Sequence, residues 1–206
     1  MKKILFLVIA TMLSLTSCSN SADDAPAAEP VDSTAIVLNN IASRKSVRHF
    51  TSEPVTREQL QTLARAAMAA PTACNKQPWA IIAIDDRAML DSLCAGLPYA
   101  KMLEQAQAAM IVCGDLSKTL EGDGVQFWIQ DCSAATENLL LAAEAMGLGA
   151  VWTAAYPDPE RMATVQKVLN LPENIIPLNV IPVGHPTGED QPKDKWLDGN
   201  YHFNQW

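Results

Sequence analysis

The sequence of 206 residues carries 15 basic and 23 acidic side chains, which gives a formal net charge of −8 at pH 7. Such an acidic balance argues against nucleic acid as a partner. The length is sufficient for one domain with its own core, even after a targeting segment is removed.

The amino terminus has the pattern of an export signal. Lys2 and Lys3 precede the apolar run ILFLVIATMLSL, and small residues lead to Cys18. The run is shorter than the roughly 20 residues that span a bilayer, and small residues before a cysteine resemble the lipobox of bacterial lipoproteins. We predict a signal peptide over 1–17, lipidation of Cys18 and anchoring to a cell-envelope membrane, on its periplasmic or outer-membrane face. An uncleaved apolar helix is the alternative.

The segment after Cys18 is predicted to be a flexible tether over 18–33. It is rich in Ala, Pro, Ser and acidic residues and lacks aromatic side chains, so it cannot bury enough apolar surface to fold. Loss of Lys2 and Lys3 with the signal would change the formal net charge from −8 to −10. Residues 34–206 form the predicted folded domain.

Helices and strands interleave along this domain, which favours an α+β or three-layer arrangement. Thr56 and Gln59 form a capping-box pattern, and Asp158 has the position of a helix cap. Periodicity predicts helices near 34–44, 56–70, 87–95, 101–107, 125–146 and 158–169, and strands near 80–84, 108–115, 149–153 and 176–184. The helix over 125–146 is the longest and most apolar, so we expect it to be central.

The remaining cysteines are Cys74, Cys94, Cys113 and Cys132. Cys113 lies in an apolar run and Cys132 on a predicted helix, where a buried, unreactive thiol is the commoner role. An exported chain could also pair them, and the sequence leaves that open. No spacing of Cys and His typical of a metal site occurs, so no metal is predicted.

Arg44, Lys45 and Arg48 form a basic cluster at the end of the first predicted helix. Arginine forks match phosphate oxygens well, so the cluster indicates a bound anion. Solvated charges at a helix end are the alternative. Neither a G-x-G-x-x-G fingerprint nor a P-loop is present to hold a nucleotide in another way.

The carboxyl-terminal tail is too aromatic for a disordered end. Trp196, Tyr201, Phe203 and Trp206 are interspersed with polar residues. We expect this tail to pack on another surface, such as a second subunit.

Several motifs together resemble the nitroreductase family of FMN-dependent oxidoreductases. RKSVRHF, APTACNKQPW, DCSAATENLLLAAEAMGLGAVW, IPVGHP and a final PKDK occur in the family's order over nearly all of 34–206. The resemblance implies a three-layer α+β fold with a central mixed, mostly antiparallel sheet flanked by helices. It also implies an intertwined homodimer with FMN at the interface.

The resemblance assigns cofactor-binding residues at both ends of the chain. Arg44, Lys45, Ser46 and Arg48 match the motif that wraps the FMN phosphate and ribityl chain. Lys193 and Lys195 match a basic pair closing over the phosphate, although solvated tail charges are the alternative.

Further matches lie around the flavin ring. Trp152, Thr153, Ala154 and Ala155 match a strand end whose backbone approaches flavin N5, although this chain lacks the Glu-Gly that some members have at Ala154 and Ala155. Lys101 resembles a lysine near the flavin's N1 and C2 carbonyl.

The loop Pro71, Thr72, Ala73 and Asn75 matches one that lines the partner subunit's flavin, with Thr72 in place of the usual Ser. Ser46 and Thr72 could instead cap turns, and Asn75 could hold its own loop. Trp79, Trp128 and Trp152 could be core or flavin-facing.

The implied function is NAD(P)H-linked reduction of nitroaromatic or quinone-like acceptors by ping-pong hydride transfer through flavin N5, with no dedicated catalytic side chain. Dehalogenase or ene-reductase chemistry on the same fold is an alternative. A non-catalytic, lipid-anchored binding protein is another. The electron donor stays open, because reduced nicotinamide is not expected to be plentiful outside the cytoplasm.

Overall fold

A computed structural model describes residues 32–206 of the chain. The predicted signal peptide, Cys18 and most of the predicted tether lie outside the described residues. The first helix begins at Ser33, so the last residue assigned to the tether is helical.

Five α-helices and five strands form the framework of the described chain. The helices are α1 (Ser33–Ser43), α2 (Arg57–Ala67), α3 (Arg87–Gly96), α4 (Phe127–Ala145) and α5 (Pro159–Leu169). The strands are β1 (Trp79–Ile84), β2 (Ala108–Asp115), β3 (Gly149–Ala150), β4 (Thr153–Ala154) and β5 (Ile175–Gly184).

The strands form one sheet in the order β1-β2-β5-β3, and β4 also pairs with β5. Every pairing among the described strands is antiparallel, so the parallel pairing that a mixed sheet requires is not found within residues 32–206. The two long central strands, β2 and β5, form most of the sheet. The short strands β3 and β4, which follow α4, pair with β5 at the edge where the candidate site lies.

Strand β2 separates two hydrophobic cores. Met110 and Val112 pack on the side of α2 and α4, whereas Ala109 and Ile111 pack on the side of α3 and α5. Successive side chains of a strand point to opposite faces, so a strand buried on both faces reads as a continuous apolar run. The predicted three-layer α+β fold is confirmed.

Local signals in the sequence set the helix ends as expected. The side chain of Thr56 accepts the N–H of Gln59, and the side chain of Gln59 accepts the N–H of Thr56, which completes the capping box. Asp158 accepts the N–H groups of Glu160 and Arg161 at the start of α5. The central position of α4 is also confirmed, because it packs against the sheet, α1 and α2.

Three predicted elements differ from the structure. The helix expected over 101–107 is a single 3-10 turn, Lys101–Glu104, because the chain must enter β2 at Ala108. The strand expected over 149–153 is split into β3 and β4, which pair with separate parts of β5. The helix expected to reach about Ala70 ends at Ala67, and a turn precedes Pro71.

Two apolar surfaces of the described chain face solvent. On α1, Ile36, Val37 and Ile41 are each more than half exposed, and the four tail aromatics are at least 60% exposed. Within residues 32–206, no helix is long and apolar enough to cross a bilayer.

Candidate functional site

The basic cluster and the tail lysines line one cavity of about 450 Å³. Arg44, Lys45, Ser46 and Arg48 come from the segment after α1, and Lys193 and Lys195 come from the segment after β5. These two segments are about 150 positions apart in the sequence. The fold therefore brings together all six residues that the resemblance assigned to the phosphate end of FMN.

Two of the cations are held by acids on α4. The Arg44 guanidinium lies 3.1 Å from Glu137, and the Lys45 ammonium donates to both carboxylate oxygens of Glu144 at 3.0 and 3.2 Å. Glu137 and Glu144 are two helical turns apart and so share one face of α4. This face fixes where the first two cations stand.

The other three cations have no such partner. Arg48, Lys193 and Lys195 form no salt bridge within residues 32–206, and only the carbonyl of Ser46 accepts from the Arg48 guanidinium, at 3.3 Å. Three cations without a salt bridge, one of them the guanidinium fork of Arg48, and the Ser46 hydroxyl around one cavity suit a phosphate dianion. The donor set therefore fits the phosphate of FMN.

Close packing positions this cluster. The N–H of Val47 donates to Ala150 O of β3 at 3.0 Å, and the Val47 side chain is 1% exposed. A Cβ at Gly149 would lie 2.5 Å from Val47 Cγ1, so only glycine permits this approach. Val47 is thus buried against β3, and the residues on either side of it face the cavity.

The Pro71–Asn75 loop lies apart from this cavity. None of its residues lines the cavity in the described chain, so the expected contact with a second subunit's flavin stays a prediction. Cys74, Asn75 and Gln77 adopt left-handed backbone conformations, with φ of 49°, 54° and 50°. Such residues persist only where surrounding contacts hold them.

Contacts within the loop account for part of this conformation. Thr72 Oγ1 accepts the N–H of Gln77 at 3.1 Å, and Asn75 Oδ1 accepts from the Gln77 side chain at 3.3 Å. The alternatives named for Thr72 and Asn75, capping a turn and holding their own loop, therefore describe real contacts. Their predicted contact with flavin stays a prediction.

The strand end after α4 presents one exposed residue. Ala154 is exposed and, with the buried Thr153, lines a small cleft whose other wall is Leu97–Ala100 and Arg161. Arg161 stacks on the Tyr99 ring at 4.6 Å. This cleft holds only about 10 Å³, so the flavin contact expected for Thr153 and Ala154 stays a prediction.

Ala155 is placed differently from the expectation. It is 1% exposed, and its N–H already donates to Leu178 O at 3.0 Å. Because its side chain is buried and its N–H is already hydrogen-bonded, Ala155 supports the strand end from the core side and offers no contact surface to a flavin. Trp152 is half-buried against the core beside α4.

Lys101 is exposed, and its ammonium donates to Cys94 O, at the end of α3, at 3.4 Å. It does not line the cleft, although the adjacent Ala100 does. Its flavin contact therefore stays a prediction. Trp79 and Trp128 are buried in the core, as one of the two alternatives held.

Cys94, Cys113 and Cys132 are buried and Cys74 is exposed, and all four are free thiols. Burial raises the pKa of Cys113 and of Cys132 to about 12. No group of three or more His, Cys, Asp or Glu side chains in the described chain could hold a metal ion.

Several polar residues of the site were not anticipated from the sequence. Glu189, Asp190 and Gln191 line the phosphate cavity, and Asp131 accepts the N–H of Ala73 at 2.9 Å. For Asp131 a signal exists: it is a charged residue directly before Cys132 on the most apolar helix. For the tail acids, the only signal is their proximity to Lys193.

Comparisons with known proteins agree with this geometry. The model of the nitroreductase family matches residues 41–109 and 91–185. A protein from Archaeoglobus fulgidus, provisionally named NADH dehydrogenase/NAD(P)H nitroreductase, is 38% identical over 172 residues, which cover 82% of this chain and 98% of that protein.

Two solved structures have the same fold. One, from Bacteroides thetaiotaomicron and provisionally given the same name, is 50% identical with a TM-score of 0.78, and the match covers 83% of this chain and 98% of that one. The other is the NADPH:FMN oxidoreductase of Vibrio harveyi complexed with NAD+, 27% identical with a TM-score of 0.73 over 82% of this chain and 77% of that one.

Proposed function

The chain belongs to the nitroreductase family, and on that premise we propose that it is an FMN-dependent NAD(P)H oxidoreductase that reduces nitroaromatic or quinone-like acceptors. The observation that carries the proposal is the cavity in which Arg48, Lys193 and Lys195 lack carboxylate partners. The Vibrio harveyi relative supports the choice of FMN and of a nicotinamide donor.

The residues of this chain would bind and orient the cofactor. Arg44, Lys45, Ser46, Arg48, Lys193 and Lys195 would hold the phosphate, with Glu137 and Glu144 keeping the first two cations in place. Thr153 and Ala154 would present backbone to the ring. When bound, FMN supplies the capacity to accept a hydride from NAD(P)H and pass it to an acceptor.

A homodimer would complete the site. Pro71, Thr72, Ala73 and Asn75 lie away from the phosphate cavity of their own chain, so they would line the cofactor of a second copy. The exposed apolar face of α1 and the exposed tail aromatics support this assembly, because patches of this kind are typical of interfaces.

The test of the function is spectroscopic. The full chain, purified in detergent, should show flavin absorption, and anaerobic NADH or NADPH should bleach it. Bleaching that reverses on addition of a nitroaromatic or quinone supports the proposal. A protein that remains colourless when incubated with FMN would contradict it, and bound flavin that neither nucleotide reduces would point to another electron donor.

We also propose that the domain is lipid-anchored through Cys18 to a cell-envelope membrane, after cleavage of a signal peptide over 1–17. The lipobox-like sequence supports this. Two or more acyl chains give stable anchoring, whereas one gives only marginal binding. Cys18→Ala should move the protein from the membrane fraction to the soluble fraction, and a variant that stays with the membrane would contradict the anchor.

A further inference from the structure

Asp190 is an acid inside a cavity otherwise suited to an anion. Its side chain is 16% exposed, and it lines the same cavity as Arg48, Lys193 and Lys195. Burial opposes its ionisation, but hydrogen bonds from Arg48 and His49 outweigh burial and lower the pKa of Asp190 below its usual value. A carboxylate at this position repels a phosphate dianion, so its presence requires another explanation.

The contacts of Asp190 supply that explanation. Its Oδ2 atom accepts the backbone N–H of Arg48 at 2.7 Å and that of His49 at 3.2 Å, and it lies 3.2 Å from His49 Nδ1. One carboxylate oxygen of Asp190 therefore accepts the hydrogen bonds at the carboxyl-terminal end of the basic cluster. Its own chain segment leads within three residues to Lys193.

The two segments are also joined by backbone hydrogen bonds just before this point. Thr51 N–H donates to His185 O at 2.8 Å, and Thr187 N–H donates to His49 O at 3.1 Å. Beyond Thr187, the exposed Glu189 carboxylate lies 4.0 Å from His49 Nε2, and Asp190 provides the next hydrogen bonds between these two segments. Without Asp190, hydrogen bonds would join the segment that carries the lysines to the basic cluster only at the far side of Gly188, whose φ of 94° marks a turn.

We propose that Asp190 is a positioning residue for the cofactor's phosphate. Its carboxylate fixes the segment of Arg44–Arg48 against the segment of Lys193 and Lys195, so that both sets of cations face one anion. This inference rests on the proposed function, since it assigns the anion as the phosphate of FMN.

Glu189 provides a matched comparison. It lines the same cavity but its side chain is 65% exposed, and its Oε1 atom accepts from the Thr187 hydroxyl at 3.1 Å. No backbone N–H of residues 44–50 donates to it in the described chain. Glu189 therefore contributes negative charge to the cavity and an exposed 4.0 Å side-chain contact to His49, but it accepts no hydrogen bond from the backbone of the basic cluster.

The two acids therefore predict changes of opposite sign. Removing the charge of Glu189 should leave the Kd for FMN unchanged or lower it, because repulsion is reduced. Asp190→Ala removes the same charge but leaves two backbone N–H groups without their acceptor, so it should raise the Kd about tenfold or more.

Two further variants separate charge from geometry. Asp190→Asn keeps an oxygen acceptor and loses the charge, and should bind FMN within about threefold of the wild type. Asp190→Glu keeps the charge but displaces the carboxylate, and should bind more weakly than Asp190→Asn. If Asp190→Ala does not fold, this pair decides the matter, and the reverse order would overturn the inference.

The experiment measures FMN affinity by equilibrium dialysis of the full chain in detergent, together with amide hydrogen exchange without FMN. Asp190→Ala, but not Glu189→Ala, should accelerate exchange at Arg48 and His49. If wild type binds FMN and Asp190→Ala binds as tightly, this inference alone is overturned. A wild-type chain that takes up no FMN overturns the proposed function and this inference with it.

Discussion

Asp131 Oδ1 accepts the backbone N–H of Ala73 at 2.9 Å, although the two residues are 58 positions apart. Asp131 is on α4 and only 6% exposed, and Ala73 lies in the loop whose next residues, Cys74 and Asn75, have left-handed backbones. A buried carboxylate on a central helix thus anchors a loop that packs little against the core. The same loop is the one proposed to reach a second subunit's cofactor.

Loss of this anchor should weaken cofactor binding. Asp131→Ala leaves the Ala73 N–H without its acceptor and frees the loop, so we expect the Kd for FMN to rise about tenfold. Asp131→Asn retains an acceptor oxygen and should be milder. Equilibrium dialysis measures the effect, and Glu173→Ala, which removes an exposed acid, is the control. Wild-type affinity in Asp131→Ala would show that the loop needs no anchor.

Arg48 should contribute to cofactor affinity rather than to stability. Its side chain is exposed and forms no salt bridge within the described residues, so Arg48→Ala should leave the melting temperature nearly unchanged. Losing charged hydrogen bonds to a phosphate should raise the Kd for FMN by about tenfold to a hundredfold. Arg65→Ala, at an exposed position on α2, should leave the Kd as in the wild type. Stoichiometric flavin in purified Arg48→Ala would refute the phosphate role.

Gly149 should be intolerant of even one added methyl group. The new Cβ would lie 2.8 Å from Val47 Cβ, which cannot rotate away as the end of a long side chain could. We expect Gly149→Ala to lower the free energy of unfolding by about 1–3 kcal/mol and to weaken FMN binding, since Val47 sits inside the basic cluster. Urea unfolding measures the first effect. Gly199→Ala, where nothing lies within 4 Å, should be neutral.

What could be predicted from the sequence follows from the range of each interaction. The capping box of Thr56 and Gln59 spans four residues, and the burial of β2 follows from an unbroken apolar run, so both can be predicted from the local sequence. The family resemblance extended the prediction to two residues 149 positions apart, because it assigned Arg44 and Lys193 to one phosphate.

The partners of the site residues could not be predicted from local sequence or from the resemblance. Glu137 and Glu144 on α4, and Asp190 in the tail, have roles only because the fold places them beside Arg44, Lys45 and Arg48. An acid on a helix surface or in a polar tail has the same local pattern whether it is solvated or paired. The break between β3 and β4 could not be predicted from the sequence either, since it depends on how β5 pairs with each strand.

The buried thiols should be inert in the folded protein. Because the thiolate is the nucleophile, a pKa of about 12 for Cys113 and Cys132 leaves almost no reactive form at neutral pH. Iodoacetamide followed by peptide mass spectrometry should find both unmodified in the native chain and modified after denaturation. Modification of the same thiols in the denatured sample serves as the internal control for reagent activity. Rapid native labelling of Cys113 would contradict the burial.

Asp115 should make stability depend on pH in the acid range. Its carboxylate accepts hydrogen bonds from Ser117, Lys118 and Asn174, which lower its pKa to about 2 against the opposing effect of burial. A depressed pKa contributes stability that is complete above the ordinary value of about 3.9 and is lost as the pH falls through about 2. The difference in urea midpoint between wild type and Asp115→Asn should therefore be largest above about pH 4 and shrink below it. The control is Glu173→Gln, which removes an exposed acid next to Asn174 in the sequence and should show no such trend. If the difference for Asp115→Asn stays constant from pH 7 down to about pH 2, then the shape of the Asp115 side chain, and not its charge, contributes to stability.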